Sequence, residues 1–379
     1  MTKLESRPAP NEAEATVAGP TGADATGPAA AGMETTSIRT GHGFDLGRLQ
    51  AYLSDKLPDP ASAFDVSQFR GGQSNPTFLL DAGSRRYVLR KKPPGDLLPS
   101  AHLIEREYAV FEKLAATALP VPTVRHLCED PEVIGTPFYV MDYLDGRVFR
   151  DPALHGCTAE ERAAIYDSMN ETMATLHAID YAAAGLETFG RPSNYVARQI
   201  ALWTKQYRAA ETETIEPIEA LISWLPEHIP DGEEHAIAHG DFRLENLVFA
   251  RDSAKVLAVL DWELATLGHP LCDVAYNCMV YDLPSTTPNL GGLSDLDLPS
   301  LGIPLQADYV AAYCRRTGRE EIAEFDFYKA FALFRFASIA QGIYARALEG
   351  SASAPNALEV GRLARPLADL GWAQVSWRA

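Results

Sequence analysis

Apolar positions along this chain follow two rhythms, alternation and helical spacing, and each stretch can be assigned from its rhythm. Leu46, Leu49, Tyr52 and Leu53 stand at helical spacing, so the fold is expected to begin near Phe44. Phe64 to Phe69 and Thr77 to Leu80 read as two strands joined by a tight turn through Gly71 and Gly72. Arg86 to Lys92 reads as the next strand, where a period of two puts Val88, Arg90 and Lys92 on one face and Leu89 and Lys91 on the other. After Pro93-Pro94-Gly95, a helix is expected from His102 to about Thr117, N-capped by Ser100, with Leu103, Tyr108, Val110, Phe111 and Leu114 as its apolar side. Thr123 to Leu127 and Pro137 to Met141 read as two further strands, after which Asp142 to Gly146 leaves the sheet.

Helical spacing dominates the rest. Thr158 and Glu161 form a capping box for a helix reaching Ile179, with Ile165, Met169, Met173 and Leu176 along one side. Further helices are expected at Tyr195 to Ala210, Ile215 to Leu225, Asp308 to Arg315 and Phe325 to Leu348. The aromatic stripe Phe327, Phe331, Phe334 and Phe336 is expected in the core. Between the helices, Leu247 to Phe249 and Val256 to Leu260 are short apolar strands, and residues 282 to 304 form a loop long enough to carry function.

Composition narrows the classes. Residues 1 to 42 contain almost no large apolar side chains and are expected to form a disordered tail, because such a segment cannot offset its ordering entropy by burial. Across all 379 residues, 46% hydrophobic and 22% charged content is that of a soluble globular protein. A net charge of -18 makes nucleic acid and anionic membranes poor partners, since both are bound by neutralising phosphates. Five scattered cysteines (Cys128, Cys157, Cys272, Cys278, Cys314) fit reduced thiols in the cytoplasm better than a disulfide framework. No apolar leader opens the chain and no run of eighteen apolar residues occurs, so neither a signal peptide nor a transmembrane helix is expected.

The chemistry gathers in His239-Gly240-Asp241-Phe242-Arg243-Leu244-Glu245-Asn246, then the two strands, then Asp261. An Asp, an Asn five residues later and an Asp closing an apolar strand suit phosphoryl transfer from a metal-bound nucleotide. The acceptor hydroxyl needs a carboxylate for its proton, and Mg²⁺ needs hard oxygen ligands with room for phosphates. Protein kinases share the spacing but carry Arg where Gly240 stands, and DFG where Asp261-Trp262-Glu263 stands. The segment instead resembles the aminoglycoside phosphotransferase and choline kinase-like family of small-molecule kinases, and the likeness runs from about Phe64 to Leu348.

That resemblance implies an α+β, bilobal, protein-kinase-like fold: a small antiparallel-sheet N-lobe over residues 43–141 that binds nucleotide, and a larger, mainly helical C-lobe over 142–379. It implies ATP and Mg²⁺ as cofactors. Asp241 is then the general base or hydroxyl-orienting carboxylate, and Asn246 and Asp261 the Mg²⁺ ligands. Arg243 approaches the transferred phosphate or pairs with a neighbouring carboxylate. Gly71, Gly72, Gln73, Ser74 and Asn75 cover the phosphates. A strand cation holds the α and β phosphates; Arg90 occupies the matching position, with Lys91 and Lys92 as competitors. Its helix partner is Glu107, with Glu105 as the competitor, and the backbone of Met141, Tyr143 and Leu144 meets the adenine edge. His239 supports the loop, Asp273 braces it from a helix N-terminus, and His177 packs at a helix end. The wording of Gly71 to Thr77, Arg90 to Gly95 and His239 to Phe249 is closest to the kinase-like part that accompanies acyl-CoA dehydrogenases, which implies a hydroxyl on an acyl-CoA thioester as acceptor and an acyl-CoA dehydrogenase as a partner. The alternatives are a kinase for an aminoglycoside or other small alcohol, and a nucleotide-binding pseudokinase scaffold.

Overall fold

Alternating side chains in the first third of the chain build a two-faced sheet. In the computed structural model, which describes residues 34–39, 41–58, 63–70, 75–93, 103–352, 354 and 356–378, this part consists of β1 (Thr35–Thr36), α1 (Leu46–Leu53), β2 (Asp65–Phe69), β3 (Thr77–Asp81), β4 (Arg86–Lys91), α2 (Ile104–Leu114), β5 (Val124–Cys128), α3 (Pro131–Ile134) and β6 (Phe138–Asp142). The six strands pair antiparallel in the order β1-β2-β3-β4-β6-β5. One face carries Phe78, Leu80, Tyr87, Leu89, Phe138 and Val140 against Leu49 and Leu53 of α1. The opposite face turns Val88, Tyr139 and Met141 toward Val110, Phe111 and Leu114 of α2 and the second lobe.

Two expectations are corrected here. Residues Thr35 and Thr36 pair with Phe69 and Gln68, so ordered chain starts before residue 43. A strand with no apolar side chain is held by the backbone groups of the sheet edge, helped by the Arg39 amide donating to the Gln68 side chain. Leu103, placed on the apolar side of its helix, is 38% exposed because α2 begins only after it. The Ser100 cap lies outside the described residues.

The second lobe comprises β7 (Gly146–Arg147), α4 (Ala159–His177), α5 (Tyr195–Ala209), α6 (Glu216–Trp224), β8 (Ala236–Ala238), β9 (Leu247–Ala250), β10 (Val256–Val259), β11 (Thr266–Gly268), α7 (Pro270–Cys278), α8 (Leu298–Leu301), α9 (Gln306–Thr317), α10 (Phe325–Leu348), α11 (Ala357–Gly361) and α12 (Ala364–Val375). Thr158 caps α4 as its sequence predicts, accepting from the Glu161 amide. Helix α10 is buried on nearly every side from Phe327 to Phe334, with α5, α7 and α12 around it. Phe327, Phe331 and Phe334 lie in the core, whereas Phe336 reaches the cleft between the lobes. Helix α12 carried no clear sequence signal, because Ala364, Ala368 and Gly371 form much of its buried face and give a weak apolar stripe. All five cysteines are free and buried. No helix among the described residues is long and apolar enough to cross a membrane.

Candidate active site

The segment after β8 must turn sharply, and Gly240 makes the turn with φ +80°. A Cβ there would stand 2.8 Å from the Leu264 carbonyl oxygen, so the position admits no side chain. The turn is pinned from below by Asp273 in the first turn of α7, whose carboxylate accepts from the amides of His239 (2.6 Å) and Gly240 (2.9 Å). His177, at the end of α4, lies 3.3 Å from the same carboxylate and 2.8 Å from the Tyr313 hydroxyl. Burial acts to raise Asp273, but the His177 hydrogen bond and the nearby histidines and Gly240 amide outweigh it and hold the group below the usual range. His239 donates from Nε2 to the Leu260 carbonyl (2.9 Å) and accepts the Asp241 amide at Nδ1 (3.2 Å), which fixes the ring as a support for the loop.

Asp241 emerges with both oxygens engaged. Oδ1 accepts from the Tyr276 hydroxyl at 2.5 Å, and Oδ2 accepts from Nδ2 of Asn246 at 2.9 Å. Arg243 places Nε 3.2 Å from Oδ1 and also pairs with Glu245, so of its two expected roles the structure shows the carboxylate pairing. Asn246 stands in the 3₁₀ turn Leu244–Asn246 and is tied to the next strand by accepting the Leu260 amide. Asp261 follows β10 with φ +64°, a strained backbone for a non-glycine residue at a site of this kind.

Across the cleft, β4 delivers Arg90, only 8% exposed. Its Nε lies 3.0 Å from Glu107 of α2, and another nitrogen lies 2.8 Å from Asp261 and 3.8 Å from Glu263. Lys92 pairs separately with Glu105 at 2.6 Å, and Lys91 sits over the Phe44 ring on the opposite face. The competition left open by the sequence is thus divided: Arg90 with Glu107 lines the cleft, and Lys92 with Glu105 does not. Burial pushes the Glu107 carboxyl up, Arg90 pulls it down, and Asp261 and Glu263 push it up again. One guanidinium therefore faces three carboxylates.

These groups line one cleft of about 1080 Å³ between the lobes. Its nucleotide-sized end is apolar, with Val88 and Met141 above and Leu144, Val148, Val248 and Leu260 below. Tyr143 also lines it, but its amide is spent on the Arg86 carbonyl (3.1 Å), as the Asp142 amide is on Thr123 (2.9 Å). That corrects Tyr143 as a backbone donor to the base, while among the described residues the Leu144 amide has no backbone acceptor. Asn75 is buried at the start of β3; Gly71, Gly72, Gln73 and Ser74 lie outside the described residues. The far end is walled by residues 285–291 with Phe336, Ala354, Asn356 and Val360, and Arg150 and Asp151 line the same cleft, with Pro152 against Gly291. Asn356 donates to Asn289 at 2.8 Å and straps that wall together.

Sequence reasoning missed Tyr276, Asn277 and Glu263. Asp273, Tyr276 and Asn277 stand at i, i+3 and i+4 on α7, one helix face turned to the loop, where Asn277 donates to the Phe242 carbonyl at 3.2 Å. That spacing is visible in the sequence once Asp273 is taken as the brace.

A small antiparallel sheet over a helical lobe, with Asp241, Asn246 and Asp261 facing Arg90 and Glu107 across a cleft, is the architecture of a kinase-like phosphotransferase that uses an alcohol group as acceptor. The chain belongs to the phosphotransferase enzyme family, whose model matches residues 65–325. It is 48% identical over 325 residues to acyl-CoA dehydrogenase family member 10 of Mus musculus, covering 86% of this chain and 30% of that one. A crystal structure from Ralstonia eutropha JMP134 assigned to the aminoglycoside phosphotransferases is 45% identical, with a TM-score of 0.80 over 88% of this chain and 99% of the other. A thermostable aminoglycoside phosphotransferase mutant in ternary complex with ADP and hygromycin B shares the fold at 17% identity and a TM-score of 0.58, over 86% and 98% of the two chains. The chain spans less than half the length of the curated relatives it matches.

Proposed function

We propose that this protein is an ATP- and Mg²⁺-dependent kinase that phosphorylates a hydroxyl group on an acyl-CoA thioester. The observation that carries the kinase chemistry is the fixed carboxylate of Asp241 in the same cleft as the Arg90, Glu107 and Asp261 cluster. Adenine fits the apolar end between Val88, Met141 and Leu144, and Arg90 takes the α and β phosphates. Asn246 and Asp261 fit Mg²⁺: the Asn246 amide nitrogen is committed to Asp241, which leaves its side-chain carbonyl oxygen as a ligand, and Asp261 adds a carboxylate, both hard oxygen donors. When bound, Mg²⁺ supplies neutralisation of the phosphate oxygens.

In the transfer, the acceptor oxygen forms a bond to the γ phosphorus as the bond to the β–γ bridging oxygen breaks, ADP leaves, and the hydroxyl proton passes to Asp241. An ordinary carboxylate is a weak base, so Asp241 contributes chiefly by holding the hydroxyl in line. The thioester acceptor is supported by the likeness to acyl-CoA dehydrogenase family members and by the apolar side chains at the far end of the cleft. At that end an acyl chain meets Leu290, Phe336 and Val360. An acyl-CoA dehydrogenase as the enzyme acting next on the product follows from the same likeness.

The test is ADP release from ATP and Mg²⁺ with 4-hydroxyacyl-CoA thioesters, free hydroxy acids and aminoglycosides, beside Asp241→Asn. Stimulation by the thioester, lost by at least 10²-fold in Asp241→Asn with ATP affinity kept, is the expected result. Stimulation by an aminoglycoside alone overturns the acceptor, and full turnover in Asp241→Asn overturns the mechanism.

A further inference from the structure

We propose that Tyr276 is a positioning residue for phosphoryl transfer, its hydroxyl fixing the orientation of Asp241 while Arg335 buttresses its ring. The inference rests on the reading of Asp241 given above. Tyr276 projects from the second turn of α7, is 7% exposed, and donates to Oδ1 of Asp241 at 2.5 Å. Oδ2 is held separately by Asn246, and Arg243 stands 3.2 Å from Oδ1. A carboxylate offers about four acceptor directions. Two are filled by hydrogen bonds from two different elements, and the Arg243 guanidinium stands against Oδ1, so rotation of the group breaks at least one bond and the more open side lies on Oδ2. That oxygen is the one available to an acceptor hydroxyl.

Arg335 has no catalytic contact, yet its placement is costly. It lies inside α10 at 7% exposure, with Nε lacking a hydrogen-bond partner and no ion pair among the described residues. A buried guanidinium without a carboxylate is unfavourable unless something else retains it. What surrounds it is aromatic: the guanidinium carbon is 5.3 Å from the ring centroids of both Tyr276 and Trp203. A cation against the phenol ring locks the ring and strengthens its O–H as a donor. Burial and the Asp241 carboxylate also keep the Tyr276 proton bound well above the usual phenol range, so the group is a donor at every working pH.

Tyr276→Phe removes a single oxygen and keeps the buried ring. The expected outcome is a fall in kcat of about 10²-fold, the scale of a misaimed catalytic group, with KM for ATP and the melting temperature unchanged. Arg335→Lys should lower kcat less, and the double variant should be no slower than Tyr276→Phe, because Arg335 acts through Tyr276. Rates are read as ADP release with the thioester or the aminoglycoside, whichever is faster, or with water as acceptor if neither stimulates. Unchanged kcat in Tyr276→Phe overturns the proposal. So does a fall in kcat matched by falls in ATP affinity and melting temperature, which marks a packing role. If Asp241→Asn retains turnover, the underlying mechanism fails instead, and the two failures are told apart within one set of assays.

Discussion

Gly240 and Asp241 show how closely chemistry and backbone are tied at single positions. Asp241 can point into the cleft only because Gly240 takes φ +80° beneath the Leu264 carbonyl. Gly240→Ala is therefore expected to destabilise the protein by at least about 1–2 kcal/mol from the left-handed backbone alone, with the clash against Leu264 added. A urea titration reads the first effect, and loss of turnover at temperatures where the variant is still folded reads the displacement of Asp241. The His239-to-Asn246 spacing was legible in the sequence because all its members lie in one loop. The Arg90 pairing was not, since acids two residues apart on α2 face cations two residues apart at the end of β4 and just beyond it, and only packing decides that Glu107 takes Arg90 and Glu105 takes Lys92. Tyr276 was hidden for a related reason: it sits 35 residues from Asp241 inside an apolar run that reads as core.

Among the elements, α7 does the most to hold the catalytic loop, and its own start depends on a titratable cap. His269 accepts the Leu271 amide at Nδ1 and lies 3.3 Å from the Tyr328 hydroxyl through Nε2. Burial, opposed by Glu234, lowers its pKa to about 4. A histidine depressed in the folded state stays neutral there while the unfolded chain takes up a proton below its ordinary pKa of about 6.5. Stability should thus be complete above that value and fall as the pH drops from about 6.5 toward about 4, by roughly 2–3 kcal/mol in all. His269→Asn keeps a capping acceptor without a proton to gain, so its unfolding free energy measured by urea at several pH values should be flatter across that window. A slope equal to that of the parent would assign the effect to other groups. At this scale the sequence was legible where side chains are large and periodic, as in α4 and α10. It was silent on β1, which is held by backbone pairing, and on α12, which packs through small residues.

At the scale of the molecule, the two lobes meet through a charge cluster as well as through apolar contact. Arg90 and Glu107 come from the first lobe, Asp261 and Glu263 from the second, and Glu107 also accepts the Trp262 amide at 3.3 Å. The cluster ties the lobes together and, in the proposed function, forms the phosphate and Mg²⁺ site, and the two roles can be separated. Arg90→Met leaves Glu107 buried beside two acids with no cation, and removal of one partner from a buried pair costs about 3–5 kcal/mol. Replacing both members, Arg90→Met with Glu107→Leu, removes the stranded charge and should recover most of that loss, apart from the Trp262 amide left without its acceptor. Neither variant retains a group for the α and β phosphates. The parent should gain about 2.7 kcal/mol of stability from Mg²⁺–ATP at a hundred times its Kd, whereas the double variant, folded and nearly as stable, should gain nothing. A ligand-induced rise in melting temperature in the double variant would remove Arg90 from nucleotide binding, whatever its importance to the fold.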